Sequence, residues 1–225
     1  MIKVELNGKE YDIPHKWEEV KFSKFLEFYN LTKSFKTKEE LEEVYEDKDD
    51  IKDLYVTLDT LKSNTKMVSF WTGISEDEVG MCDLDEVAQC LKDLAFLSKQ
   101  YKPIHIDDFT FNGEKYFLPN RDYSKLSFGD YVQAEQLELN AKKLEQGRIE
   151  VMPEQVAILC KKEGETQLSD EEIDKRANMF KELDMATVWD VGFFLTQRES
   201  LLMTSFLISQ KERLTTLQKS QQKEQ

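Results

Sequence analysis

The sequence predicts a mainly helical protein with two small β-hairpins, an α+β fold. Glycine and proline, which break helices, occur only 8 and 4 times in 225 residues. Apolar residues recur at the spacing of amphipathic helices along most of the chain. Two short segments alternate instead, around Asn7-Gly8 and Asn112-Gly113. An Asn-Gly pair between alternating residues indicates a hairpin, because both turn positions need a positive φ.

Helices are predicted after the first hairpin, over residues 24–29, 36–45 and 51–61, and an apolar stretch continues over 66–71. Ser23 is placed to cap the first of them, and Gly73 is a typical helix end. Ser75 begins a short helix, because it has an acidic partner at the spacing of a capping box. Asp83 precedes a helix with an apolar stripe over residues 87–97.

The second half repeats this order of elements after Pro103. A helix is predicted over 128–144, and Gly147 ends it. Pro153 suits the first turn of the next helix, and Ser169 with its acidic neighbours starts another. A last helix is predicted over 186–219, which at 1.5 Å per residue is about 50 Å long.

The two hairpins belong to a longer repeat. Residues 109–119 repeat the pattern of residues 4–14, with Asn, Gly, Tyr and Pro at the same positions. We interpret this as an internal duplication, which predicts a hairpin-helical unit over 1–103, a second over 104–198, and a helical extension with a polar tail over 199–225. The alternative is two unrelated hairpins that share an Asn-Gly turn.

The charge of the chain limits its partners. The net charge of −14 disfavours binding to nucleic acid or to an anionic membrane surface, whereas a basic protein surface fits it. The most apolar region, 188–208, is interrupted by Asp190, Arg198 and Glu199, so it does not predict a membrane span. We therefore expect a protein of the reducing cytoplasm.

No pattern in the sequence predicts an enzyme, a metal site or a cofactor. The three cysteines, Cys82, Cys90 and Cys160, form no metal-binding pair, and the last two lie among apolar residues and look like core residues. His15 and His105 lack a second ligand at helical or hairpin spacing. Adjacent carboxylates are frequent, but neighbouring residues point apart and make no acid/base pair.

The long C-terminal helix is the best candidate for a partner-binding site. Its apolar side chains extend most of the way around, and such a surface, if uncovered, would exceed what monomers usually expose. Two options remain open: the helix packs on another chain, or it packs on the first repeat. The candidate residues are Leu201, Leu202, Phe206, Ile208, Leu214 and Leu217.

Three tryptophans, Trp17, Trp71 and Trp189, sit in apolar neighbourhoods. Core packing is the simplest interpretation, and a place at a partner surface is the alternative.

The duplicated unit has a recognisable set of residues in each half. In the first half they are Asn7, Gly8, Tyr11, Pro14, Trp17, the stretch 70–74 and Phe96-Leu97. In the second half they are Asn112, Gly113, Tyr116, Pro119, Met152-Pro153, Gly164, Arg176 and the stretch 193–195. With these residues the unit resembles the small tail-assembly proteins of tailed bacteriophages.

This resemblance implies a non-enzymatic assembly chaperone whose partners are other phage virion or tail proteins, in the cytoplasm of the bacterial host. The alternative is a stoichiometric virion protein, such as a portal–tail connector ring or an internal cargo component, retained in the particle; a homo-oligomer is compatible with both. The duplication departs from a single-copy chaperone. Two further hypotheses are an acidic inhibitor of a host nucleic-acid-binding enzyme and a hydrolase with a concave acidic pocket.

Overall fold

The computed structural model describes residues 1–46, 51–104, 106–118, 127–144 and 147–193. These residues form helices and two separate two-stranded antiparallel sheets, which confirms the predicted α+β class. The strands are β1 (Ile2–Leu6), β2 (Lys9–Ile13), β3 (Asp108–Phe111) and β4 (Glu114–Phe117). The helices are α1 (Phe22–Thr32), α2 (Lys38–Val44), α3 (Lys52–Thr72), α4 (Glu76–Val79), α5 (Leu84–Leu94), α6 (Phe128–Lys143), α7 (Arg148–Leu159), α8 (Asp170–Phe180) and α9 (residues 185–193).

Both predicted hairpins are present and have the same register. Asn7 and Asn112 adopt φ of 52° and 51°, and the glycine after each is also in the left-handed region. In the first hairpin Val4 faces Tyr11, and in the second Phe109 faces Tyr116 at the same position. The local sequence therefore predicts both turns, while the correspondence of the two halves beyond the hairpins stays a prediction.

Several predicted helix boundaries are also confirmed. Gly73 has φ 78° and ends α3. Ser75 and Ser169 each accept a bond from the backbone N–H three residues later and form capping boxes. Asp83 caps α5 by accepting from the N–H of Asp85. Each of these features depends on residues within one helical turn.

Four boundaries differ from the prediction. The first helix begins before Ser23, which makes no cap, because Lys21 is the N-cap residue. The helix predicted over 51–61 extends through the apolar stretch 66–71 and ends at Thr72, as α3. Gly147 precedes α7 as its N-cap residue, so Pro153 lies inside that helix. Proline has no backbone N–H, so the helix lacks one hydrogen bond at Pro153. The helix continues because this turn is buried in the core, where tertiary packing outweighs that loss.

One hydrophobic core includes buried residues from both halves of the chain. A short β-bridge joins Lys21 to Asp184, directly before α1 and α9. The backbone N–H of Phe22 donates to Leu183 at 2.8 Å, and that of Met185 donates to Val20 at 2.8 Å. The two halves are therefore packed together where these two helices begin. The predicted division into units at 103 and 198 remains a prediction.

Candidate functional site

An apolar groove lies at the junction of the two halves. Its volume is 540 Å³. The walls come from the 3₁₀ turn before α1, from α1 itself, from the segment 97–103, from the start of α7 and from α9. We call it the junction groove, and the side chains that form most of its apolar wall are Trp17, Phe25, Tyr29, Ile149, Met152 and Trp189.

Aromatic rings form one wall of the junction groove. Trp17 makes edge contacts with Phe25 at 5.7 Å, with Phe96 at 5.4 Å and with Trp189 at 5.7 Å between ring centroids. Phe25 contacts Trp189 at 5.5 Å. Edge-to-face pairs of this kind are favourable and rigid. Residues far apart in sequence therefore build a preformed apolar surface.

Asp190 holds the segment 101–104 against α9. This buried carboxylate accepts a bond from the backbone N–H of Ile104 at 2.9 Å and from the Tyr101 hydroxyl at 3.3 Å. Burial, together with the negative charge of Asp190, raises the pKa of Tyr101 to about 12. The tyrosine is thus a neutral hydrogen-bond donor at neutral pH, and it lines the groove.

Two cationic residues, Lys99 and Arg148, lie among the lining residues of the junction groove. The Arg148 Nε lies 3.1 Å from Glu138 on α6, which neutralises part of its charge. Lys99 is exposed. Asp190, Glu18 and Asp184 place negative charge near Tyr101 in the same lining, so the two cations do not make the groove positive.

Two glycines determine how closely the walls approach. A Cβ atom on Gly147 would lie 2.4 Å from the Tyr29 hydroxyl, so a larger residue there must displace the Tyr29 side chain. A Cβ atom on Gly192 would lie 3.3 Å from the Met152 methyl group. Gly147 was predicted only as a helix end, and its contact with Tyr29 has no signal in the sequence, because the tyrosine is far away in the chain.

The described residues hold no group of three or more potential metal ligands. Burial raises the pKa of the Cys90 thiol to about 11, and burial also raises the pKa of Cys160. Both thiols stay protonated at neutral pH, so they are poor nucleophiles. They are fully buried, as predicted for core residues. His15, one of the two histidines weighed above, pairs with Glu19 at the surface, while His105 lies outside the described residues.

A buried ion pair joins Lys161 to Asp130. Their atoms are 2.6 Å apart, and Asp130 also completes the capping box of α6 with Ser127. The backbone of Lys161 bridges to Phe117 at the end of the second hairpin. This pair lies outside the junction groove and fastens the second hairpin to α6 and α7, so its role is structural.

The predicted partner-binding residues of the C-terminal helix, all from Leu201 to Leu217, lie outside the described residues. That prediction stays untested. Of the three tryptophans, Trp71 is buried in the core, as the simpler interpretation predicted. Trp17 and Trp189 are partly buried against the core and also line the junction groove. Core packing therefore holds for part of each side chain, and its place at a partner surface stays a prediction. Asp190 appeared in the sequence only as a break in an apolar run.

No protein-family model matches the chain, and no match was found among curated proteins or among solved structures. Within the part of the chain that the structure describes, no helix is long and apolar enough to cross a membrane.

Proposed function

We propose that this chain is a non-enzymatic assembly protein of a tailed bacteriophage that acts as a chaperone through protein–protein contacts. The observation that carries the proposal is the junction groove, which has aromatic walls and a volume of 540 Å³. The assignment to a phage rests on the sequence resemblance described above. In this proposal the chain works in the cytoplasm of the host cell while particles assemble.

The groove has the size and chemistry to take an apolar segment of a partner protein. Its volume falls within the range of about 300–1,000 Å³ that is typical of binding pockets. Tryptophan and tyrosine side chains supply large contact areas at low entropic cost, and they dominate many protein interfaces. Trp17, Trp189 and Tyr101 line the groove in this manner. A chaperone needs such a surface to cover apolar residues of an unassembled protein.

Charge gives the proposed partner one feature. The net charge of −14 favours a partner whose surface is basic overall.

The second candidate is a stoichiometric virion protein, such as a connector ring or an internal component. Exposed apolar side chains on α6 favour this role, because a permanent assembly would cover them. Phe128 is 80 % exposed, and Val132 and Leu139, at helical spacing from it, are also exposed. The two roles differ in whether the chain remains in the finished particle.

Mass spectrometry of purified particles and of the complexes formed by the tagged chain separates these roles. A chaperone is expected to be bound to one virion or tail protein in cell extract and to be absent from particles. Many copies per particle support the structural role instead. If the tagged chain binds no virion protein and is absent from particles, the proposed assembly function is wrong.

A groove variant links the function to the site. Ile149→Glu places a carboxylate in the apolar wall, and we expect it to reduce partner recovery at least tenfold. Leu144→Glu is the matched control, because Leu144 is 70 % exposed at the end of α6 and outside the groove lining. Circular dichroism and thermal melting establish that both variants fold. If both folded variants recover the partner equally well, the groove is not the partner-binding site.

A further inference from the structure

A row of aliphatic side chains at the start of α3 is exposed to solvent. Leu54, Leu58 and Leu61 are 59 %, 44 % and 49 % exposed, and Ile51, the N-cap residue, is 46 % exposed. Steps of three and four residues place all four on one side of the helix. We call these four residues the α3 row. Single exposed leucines are normal, but a contiguous apolar row is typical of a surface that another segment of protein covers.

The contacts between α3 and its neighbour α2 do not use the α3 row. Val56, on the opposite side of the helix, is buried, and Tyr55 stacks on Tyr45 of α2 with ring centroids 4.9 Å apart. The Tyr45 hydroxyl donates to Asp59 at 2.7 Å. The helix pair is therefore held together while the row stays uncovered.

The surroundings of the α3 row are acidic. Residues 36–62, which include α2 and the first half of α3, contain ten acidic and five basic residues. Glu39 and Glu43 on α2 and Asp53 on α3 are exposed, and they form no ion pair with another described residue. A second copy of the row would bring the same acidic flanks together. An apolar segment with basic residues fits this surface better.

The C-terminal segment, residues 194–225, has this character. It contains five basic and three acidic residues, although the whole chain has a net charge of −14. Its apolar side chains include the candidate partner-binding residues of 201–217, and two of the basic residues, Lys211 and Arg213, lie among them in the sequence. The segment therefore complements the row in both apolar character and charge.

The other exposed apolar surfaces of the described residues fit a basic segment less well. Phe128 and Leu139 are exposed on one side of α6, but Lys143, one turn after Leu139, places a positive charge there. Met81 and Leu84 have acidic neighbours, but they are two residues and not a row. Charges of both signs lie in or near the junction groove. Charge and extent together favour the α3 row.

The C-terminal segment is long enough to reach the α3 row. Phe193, the last described residue, lines the junction groove beside α1. Phe28 of α1 contacts Phe70 of α3 with ring centroids 5.5 Å apart. Leu58 lies 12 residues before Phe70, or about 18 Å along the helix. The 24 residues from Phe193 to Leu217 span about 36 Å even as a helix, so their apolar side chains can reach the row.

We propose that the C-terminal segment folds back over the α3 row of the same chain and covers it with apolar residues of 201–217. The row is too small for a stable interface between separate molecules, which buries roughly 800 Å² per partner. Within one chain the effective concentration of the segment is on the order of millimolar, so a small contact suffices. The contact shields two apolar surfaces of the unbound chain. The inference does not depend on the junction groove.

Cross-linking within the full chain tests the proposal. The background is Cys82→Ser, which removes the partly exposed native thiol and leaves the fully buried Cys90 and Cys160. Leu58→Cys is then combined with one of three substitutions in the C-terminal segment: Leu202→Cys, Phe206→Cys or Leu214→Cys. After treatment with a short bismaleimide, we expect an intramolecular cross-link in at least one of the three proteins, identified by mass spectrometry of the monomer.

Leu84→Cys, combined with the same three substitutions, is the matched control. Leu84 is 76 % exposed and lies between Asp83 and Asp85, so it is an accessible apolar position with acidic neighbours outside the row. We expect at least tenfold less intramolecular cross-linking from Leu84→Cys than from Leu58→Cys. Circular dichroism establishes that the compared proteins fold alike.

Charge reversal tests why the segment prefers the row. Lys211→Glu together with Arg213→Glu should reduce the cross-link from Leu58→Cys at least tenfold, because the segment then meets the acidic flanks with like charge. Lys92→Glu together with Lys175→Glu is the control, since it makes the same change of charge on exposed lysines of α5 and α8. The control should leave the cross-link unchanged.

Four results would overturn the proposal. The first is a Leu58→Cys protein that reacts with a single maleimide but forms no intramolecular cross-link with any of the three positions. The second is equal cross-linking from Leu58→Cys and Leu84→Cys. The third is cross-links between two molecules only, which would make a second copy the cover of the row. The fourth is a cross-link that the charge reversal in the C-terminal segment leaves unchanged.

Discussion

At the scale of single residues, Arg176 joins three parts of the second half. Its guanidinium group donates to the carbonyl of Cys160 at 3.0 Å and forms a two-pronged pair with Glu165. It also lies 5.4 Å from the ring centre of Tyr116. Bidentate pairs of this kind are stronger than single ion pairs at the surface, because both oxygens are held.

The Arg176 pair predicts a pH dependence of stability. Burial acts to raise the pKa of Glu165, but the hydrogen bond and charge of Arg176 outweigh it, and the pKa lies below the ordinary 4.5. A lowered folded-state pKa stabilises the protein above the unfolded-state pKa, and this contribution disappears as the pH falls through the folded-state pKa. Glu165→Gln should therefore destabilise the protein at neutral pH, with a difference from wild type that shrinks in acid, in urea denaturation at a series of pH values.

Glu154→Gln is the matched contrast. Burial raises the pKa of Glu154, and one of its carboxylate oxygens is buried without a hydrogen-bond partner in the described structure. A raised folded-state pKa opposes folding at neutral pH, so this variant should be at least as stable as wild type there. If the two variants change stability with pH in the same direction, the assigned causes of the pKa shifts are wrong.

At the scale of elements, serine and threonine caps determine where the helices begin. Thr37, Ser75, Ser127 and Ser169 each form a capping box with an acidic residue three positions later. Each box satisfies two N–H groups that a helix start would otherwise leave without a partner. These starts are readable from sequence because both partners lie within one turn.

Ser169→Ala should lower the free energy of unfolding by about 1 kcal/mol, since it removes the acceptor of the α8 cap. The measurement is the urea concentration at the midpoint of unfolding, compared between proteins whose free energy of unfolding falls with urea at the same slope. Ser23→Ala is the control, because Ser23 lies inside α1 and caps nothing. A control that loses as much stability as Ser169→Ala would show that the loss does not come from the cap.

At the scale of the whole molecule, one core connects the two halves. The bridge between Lys21 and Asp184 and the ring cluster around Trp17 and Trp189 both join residues more than 150 positions apart. Asp190 adds a third link, because it binds the segment that connects the halves. A core shared in this way predicts that neither half unfolds by itself.

We expect urea unfolding of the full chain to be a single cooperative transition. Tryptophan fluorescence, which reports on Trp17, Trp71 and Trp189, and far-ultraviolet circular dichroism should give coincident curves. Two resolved transitions would instead indicate that the units predicted over 1–103 and 104–198 are independently stable.

The sequence by itself determined the fold class, both hairpins and most helix starts. The physical reason is that an Asn-Gly turn and a capping box are completed by residues within a few positions of each other. The start of α7 was predicted wrongly even though its cap is local, since the N–H of Gly147 donates to Glu150 at 2.9 Å. The contact of Gly147 with Tyr29 could not be predicted, because the two residues are far apart in the chain.

Only the tertiary structure decided where a site lies. Trp17, Tyr101, Arg148 and Trp189 line one groove because α1, α7, α9 and a connecting segment converge there, and nothing in their sequence spacing specifies that meeting. The same holds for the apolar row Ile51, Leu54, Leu58 and Leu61 at α3, whose pattern is readable in the sequence but whose exposure depends on which side of the helix α2 covers. Local patterns specify turns and helix ends through nearby partners, whereas surfaces arise from contacts between distant residues.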